Sequence, residues 1–169
     1  MSLFGNLEFN SLDDLLRHQI EDLYDSEHQL LERFPKLVDT AVSPDLKQAL
    51  DKHLQQTRDH AARLETIFRG LGWKAERGTC EAMKGLLAEV EEMTGAEGNP
   101  EIRDAALIAA AQKIEHYEIA GYGTARSLAM RLGRGEAAKR LESTLEEETS
   151  ADRTLTQVAQ AEVNAAAQR

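Results

Sequence analysis

The chain has 169 residues, a length at which one domain can bury a sizeable core without disulfide bonds. Its 30 acidic and 20 basic residues give a formal net charge of −10, which disfavours nucleic acid and anionic membranes as partners and favours cations or basic proteins. Only 5% of the residues are aromatic, and many of the 41% that are hydrophobic are alanine and leucine, so the composition predicts an all-α protein.

Signals for export or membrane insertion are missing from the sequence. The single cysteine, Cys80, cannot form an internal disulfide, which suits a reducing compartment. The first ten residues, MSLFGNLEFN, lack the basic start and the apolar run of a secretory signal. No apolar run reaches the roughly 18 residues that a membrane-spanning helix needs. We therefore expect a cytoplasmic protein with a single domain over residues 1–169.

Start signals and apolar periods predict five helices in chain order. Ser11 precedes the first helical period, Ser43 and Pro44 form the start signal of the second, and Asn99 and Pro100 that of the fourth. The predicted ranges are about 12–42, 44–70, 80–94, 100–132 and 136–162.

The loop lengths predict how the four long helices are connected. Short links join the first long helix to the second and the third to the fourth, whereas residues 71–99 separate the second from the third. A four-helix bundle with one long crossover is the arrangement of ferritin-like folds, while up-down-up-down bundles use short loops throughout. We predict a ferritin-like bundle whose crossover carries the extra short helix.

Each long helix has a polar break near the middle of its apolar stripe. The break falls at Glu27, at His60, at Glu115, and at Glu148 with Asp152 in the last helix. The midpoints of antiparallel helices of similar length meet at one level, so we expect these five side chains to converge. Buried carboxylates without a counter-charge cost several kcal/mol each or become protonated, so a layer of four requires a cation or a dense set of partners.

The residue types in this layer favour a pair of transition-metal ions. Carboxylates and imidazole bind iron, manganese or zinc, and a carboxylate-bridged pair of ions uses about four acidic groups and one or two nitrogens. No thiolate accompanies them, which disfavours a structural zinc or iron–sulfur site. We predict at most two ions of iron or manganese per chain.

Simpler alternatives stay open for several of these side chains. Glu27 could form a surface ion pair, and His60 could be a hydrogen-bonded core histidine. Glu118 could join the cluster as a second carboxylate of the same helix or lie exposed at the edge of the stripe. We expect three of the other four histidines to lie beside the site or on the surface rather than to act as ligands; they are His28, His53 and His116.

Four segments of the chain resemble the YciE/YciF family of bacterial ferritin-like proteins. They are LYDSEHQLL (23–31), CEAMKGLL (80–87), DAALIAAAQKIEHYEIAGYGT (104–124) and LEEETSAD (145–152), and the resemblance extends over roughly 10–160. It implies a ferritin-like bundle with an additional helix, a homodimer, a two-metal centre and an association with stress responses. It implies no particular reaction.

The ferritin-like pattern places Glu-x-x-His on the second and fourth helices, and this chain departs from it. Gln56 and Thr57 stand where a carboxylate is expected before His60, and Glu148 is followed by Asp152 at a spacing of four. A neutral Gln56 removes one negative charge, which weakens binding of a second metal. The complete candidate ligand set is Glu27, Gln56, His60, Glu115, Glu118, Glu148 and Asp152.

Two functions are compatible with this sequence. The leading hypothesis is a di-iron or di-manganese protein that consumes peroxide or oxygen or handles iron during stress, and its possible enzymatic activity is left open. The alternative is a non-catalytic, dimeric structural or stress protein whose polar layer sets the helix register and binds metal weakly or not at all.

Overall fold

The computed structural model of the chain describes residues 7–168. The predicted absence of a secretory signal and the predicted 1–169 domain boundaries fall partly on residues outside this range. The described part is helical and contains no strand. Its helices are α1 (Leu12–Thr40), α2 (Pro44–Leu71), α3 (Glu81–Thr94), α4 (Pro100–Arg131), α5 (Gly135–Val158) and α6 (Asn164–Ala167), with a π-helical turn at Ala159–Val163.

The predicted helix starts agree with the capping contacts. The Asp14 N–H donates to Ser11 Oγ at 3.1 Å, the Leu46 N–H donates to Ser43 Oγ at 3.2 Å, and Asn99 accepts from the first turn of α4. Side-chain oxygens at these positions satisfy backbone N–H groups that have no partner within the helix. The sequence therefore places these starts correctly because the signal is local.

The end of the last long helix differs from the prediction. The last long helix is predicted as one segment over about 136–162, but the π-helical turn Ala159–Val163 interrupts it. Such a turn inserts one residue into the helical repeat and rotates the C-terminal residues beyond it about the helix axis. Val163 is 2% exposed in this arrangement. Nothing in the apolar period of the sequence marks the inserted residue.

The four long helices form a bundle. α1 packs against α2 and α4, and α5 packs against α2 and α4. α3 lies in the crossover between α2 and α4 and covers the outside of α1 and α4. This arrangement confirms the predicted all-α, ferritin-like four-helix bundle with one long crossover that contains an extra helix.

Two apolar clusters fill the bundle, and a polar layer lies between them along each helix. Phe34, Leu50 and Leu107 belong to one cluster, and Leu16 and Leu141 belong to the other. The buried acidic and imidazole side chains of the helices fall between the segments that supply these clusters. Among residues 7–168, no helix combines the length and the apolarity needed to cross a membrane.

Candidate metal centre

Six ionisable side chains from four helices are buried in the middle of the bundle. Four are glutamates that are 0% exposed, and two are histidines of α2 that are 4% and 0% exposed. Isolated charges at such positions would be expensive, since burial removes the hydration that stabilises them. The residues are Glu27 of α1, His53 and His60 of α2, Glu115 and Glu118 of α4, and Glu148 of α5.

Their ligand atoms form two adjacent groups. Within each group, one ligand atom of every residue lies within 4.8 Å of the others. Glu148 belongs to both groups, so its two oxygens stand between them. We call His53, Glu115, Glu118 and Glu148 site 1, and Glu27, His60 and Glu148 site 2.

The imidazole nitrogens face the carboxylates closely. His60 Nδ1 lies 2.8 Å from Glu148 Oε1 and 3.4 Å from Glu27 Oε1. His53 Nε2 lies 3.4 Å from Glu115 Oε1 and 3.9 Å from Glu148 Oε2. Each site therefore combines one imidazole with carboxylates from the neighbouring helices, and Glu148 contacts both imidazoles.

Burial and crowding shift the pKa values of the carboxyl groups in opposite directions. Burial, and then the charge of Glu148, raises the pKa of Glu115 well above its ordinary value. Burial also raises the pKa of Glu118 well above that value, and the charges of Glu27 and Glu148 add to the effect. Glu148 behaves differently: burial opposes its ionisation, but contacts with the imidazoles of His53 and His60 lower its pKa to about 2. Burial raises the pKa of Glu27 as well, so the layer combines one strongly acidic carboxyl with three carboxyls that are harder to ionise than a free glutamate.

His60 carries the balancing positive charge. Burial alone would lower its pKa, but its contacts with Glu148 and Glu27 raise the pKa to about 10. Burial lowers the pKa of the other imidazole, His53, and its proximity to His60 acts in the same direction. Without a metal, the layer is therefore neutralised by one imidazolium and by protons on carboxyl groups.

Many carboxylate oxygens of the layer lack a hydrogen-bond donor, and their number and type show whether a metal ion would fit. Buried polar atoms almost always have a partner, because an unpaired one costs about 1–3 kcal/mol. Carboxylate oxygens and imidazole nitrogens are the donor set of iron, manganese and zinc. The residues therefore fit a pair of such ions. The unpartnered carboxylate oxygens are Glu27 Oε2, Glu148 Oε2 and both oxygens of Glu115 and Glu118, while Glu148 Oε1 lies 2.8 Å from His60 Nδ1.

Neighbouring side chains orient the ligands of site 2. Tyr122 Oη donates to Glu27 Oε1 at 2.5 Å, and His60 Nε2 lies 2.8 Å from Glu147 Oε2. Arg63 donates to Glu147 at 2.8 Å and to a threonine hydroxyl of α5. Partners of this kind fix the tautomer and orientation of metal ligands.

The structure places five of the seven sequence candidates in the layer and the other two outside it. Glu118, for which exposure was an open alternative, is 0% exposed. Gln56 is half-buried and lines a cavity next to the layer. Asp152 does not join the two groups, contrary to the predicted convergence: it accepts from Gln112 Nε2 at 2.8 Å and its side chain is 23% exposed. The Asp152 carboxylate instead faces Gln112 and the exposed ring of His116 on α4, which holds it away from the layer.

His53 belongs to site 1, although the sequence predicted it to lie beside the site or on the surface. It lies seven residues before His60 on α2, about two helical turns away, so both rings emerge from the same face. This spacing could have identified it. The other two histidines agree with the prediction, since the ring of His28 packs edge-on against Tyr24 and the His116 side chain is 69% exposed.

Residues 11–168 match the model of a protein family described as a domain of unknown function, DUF892. The protein YciF of Escherichia coli strain K12 is 41% identical over 159 residues, which cover 94% of this chain and 96% of that protein. The crystal structure of the E. coli stress protein YciF has a TM-score of 0.88 and covers 92% of this chain and 99% of that one.

Two further solved structures share the architecture. YcfI from Rhodopseudomonas palustris is 37% identical, with a TM-score of 0.86 over 90% of this chain and 98% of that one. A protein from Xanthomonas campestris pv. campestris is 18% identical, with a TM-score of 0.74 over 92% and 95% of the two chains, and shows the fold alone. The match over almost the whole chain and the identity to YciF establish that this chain belongs to the DUF892 family of YciF-like proteins.

Proposed function

We propose that the chain is a metal-binding stress protein that holds two divalent ions, iron or manganese, at sites 1 and 2. Six buried carboxylate oxygens without hydrogen-bond donors carry this proposal. Glu148 would be the ligand shared by the two sites, because its carboxylate belongs to both groups. The stress role follows from the similarity to YciF, which is described as a stress protein.

The charges of the layer support two ions rather than one. Four ionised glutamates contribute four negative charges, and two divalent ions contribute four positive charges. With both imidazoles neutral, as ligands must be, the layer is then neutral. A single divalent ion would leave two charges to be neutralised by protons in a buried site, at a cost in free energy.

An iron or manganese pair supplies electron exchange with small oxidants such as oxygen or peroxide when it is bound. The chain itself provides the carboxylates that hold the ions and the two apolar clusters that exclude water above and below the layer. Tyr122 and Glu147 orient Glu27 and His60. We propose that the protein consumes oxygen or peroxide, or handles iron, in this site.

Metal titration of the metal-free protein tests the proposal. We expect wild type to retain two Mn²⁺ or Fe²⁺ ions per chain after desalting. Glu148→Gln should lose both ions because it removes the shared ligand, whereas Glu118→Gln should lose only the ion at site 1. Asp152→Asn is the matched control, since Asp152 lies outside both groups, and it should retain both ions.

Equal metal content in wild type and Glu148→Gln would contradict the proposal. The alternative would then gain support, namely a non-catalytic, dimeric structural or stress protein whose buried polar layer sets the helix register. If the metal binds as expected, oxidation of added Fe²⁺ in air or loss of peroxide should be faster than with free iron. Light scattering would test the homodimer, which we also propose.

A further inference from the structure

We propose that the two metal subsites differ in access: site 1 exchanges its ion and binds a water-sized ligand from solvent, whereas site 2 is closed. This inference rests on the proposed function and specifies its substrate class. The ligand that reaches site 1 would be a small oxidant such as dioxygen or hydrogen peroxide, or a small anion, and not an organic molecule.

A cavity between α2 and α5 leads to site 1. It has a volume of about 20 Å³, which is room for about one water-sized molecule. Two candidate ligands, His53 and Glu115, line it directly. Both ring nitrogens of His53 and both oxygens of Glu115 lack hydrogen-bond partners, although these residues are 4% and 0% exposed. The cavity therefore ends on buried polar atoms that are suited to bind a ligand or an ion.

The outer lining of this cavity fits a small guest. Ala49 of α2 and Ser150 and Ala151 of α5 have short side chains, and Gln56 provides a neutral amide. Lys52, which is exposed, is the only charged residue among the lining residues other than Glu115 and the titratable His53. Its positive charge favours small anions and does not repel neutral oxidants.

Site 2 is covered on its outer side. Glu147 contacts His60 Nε2 at 2.8 Å, and Arg63 donates to Glu147 at the same distance. Arg63 also donates to Thr144 Oγ1 at 2.6 Å, which ties the pair to α5. Tyr122 Oη donates to Glu27 at 2.5 Å and occupies the position beside that ligand. A guest approaching site 2 would have to break these contacts.

Cobalt exchange tests this difference, because Co²⁺ bound to carboxylate and imidazole gives visible absorption. With the wild-type protein loaded with two Co²⁺ ions, removal by excess EDTA should show a fast phase and a slow phase, one ion each. Azide should shift the absorption that disappears in the fast phase and leave the remainder unchanged. Loss of both ions in a single phase, or an azide shift in the slow component, would overturn the inference.

A variant that fills the cavity assigns the fast phase to site 1. Ala151→Leu should slow the fast phase by about tenfold or more without changing the number of ions bound, since the added side-chain atoms would occupy the cavity of about 20 Å³. Ala106→Leu is the matched control, a half-buried alanine of α4 outside this lining, and should leave both phases unchanged. An unchanged fast phase in Ala151→Leu would overturn the inference.

A second variant keeps the test decisive if Ala151→Leu does not fold. Thr154→Ala enlarges the cavity from α5 and should accelerate the fast phase by about twofold or more; an unchanged rate would overturn the inference. Failure of wild type to bind Co²⁺ at all would instead overturn the proposed function. Two bound ions that leave at one rate would overturn only the difference in access.

Discussion

Metal binding to this chain should release protons, because the metal-free layer stores them. Burial raises the pKa of Glu115 and Glu118 well above the ordinary value, and contacts with carboxylates raise the pKa of His60 to about 10. Metal ligands must be deprotonated to bind. Adding Mn²⁺ to the metal-free protein should therefore expel the proton of His60 and protons held by the buried carboxyl groups.

The magnitude follows from counting these side chains. We expect the release to exceed about one proton for each pair of ions near pH 6, because His60 alone contributes one and the raised pKa values of Glu27, Glu115 and Glu118 add to it, whereas free glutamate is already ionised and would release none. Apparent affinity should rise with pH, by up to about tenfold per unit for each proton displaced. Glu148, whose pKa is lowered to about 2, contributes no proton in this range.

Calorimetric titration with Mn²⁺ in two buffers of equal pH and different ionisation enthalpy measures the number of protons. Glu118→Gln is the control, and it should bind one ion and release fewer protons than wild type. Release close to zero with two ions bound would refute the reasoning, because it would mean that the ions sit on exposed carboxylates or that the buried carboxyls are ionised beforehand.

Three further outcomes concern single residues. Gln56→Glu adds a carboxylate to the cavity beside site 1, and we expect tighter Mn²⁺ binding in the same titration; weaker binding would mean that Gln56 does not face the ion. Asp25→Asn should lower the free energy of unfolding by about 2 kcal/mol, since Asp25 accepts from the Cys80 N–H at 2.8 Å and anchors the start of α3. Burial opposes ionisation of Asp25, but that backbone donor and two side-chain donors lower its pKa. The free energy of unfolding of wild type should therefore fall as pH drops below the unfolded pKa of about 4. In urea titrations, Asp25→Asn should lose less of this free energy over the same pH range. Gly121→Ala should be less stable than Gly123→Ala by about 1–3 kcal/mol in thermal unfolding, because a Cβ at Gly121 would lie 2.8 Å from Leu23 Cδ2, whereas a Cβ at Gly123 meets nothing closer than 4.0 Å; equal stabilities would contradict this packing.

The helices and their connections could be predicted because their signals are local. Ser11, Ser43 and Asn99 cap helices through their own side chains, and the long segment between α2 and α4 permits only one kind of bundle. The polar breaks also located most of the layer, since residues such as Glu27 and Glu148 interrupt an apolar period at the level where the helices meet.

The remaining features of the site depend on tertiary packing. Glu118 stands at the edge of its stripe, and it is buried because its carboxylate reaches into the layer beside Glu115, Glu148 and His53. Asp152 keeps the approximate period of its helix, but it turns toward Gln112 instead of the layer. His53 shares a face with His60, and only the assembly of the four-helix bundle brings it to Glu115 and Glu148.

Anomalous diffraction from crystals of the metal-loaded protein, recorded at the iron or manganese absorption edge, tests the central claim most directly. The proposed centre requires one anomalous peak on each side of Glu148. One should lie beside His53 and Glu118, and the other beside Glu27 and His60. Peaks confined to exposed carboxylates, or a layer without any peak at full metal loading, would contradict it.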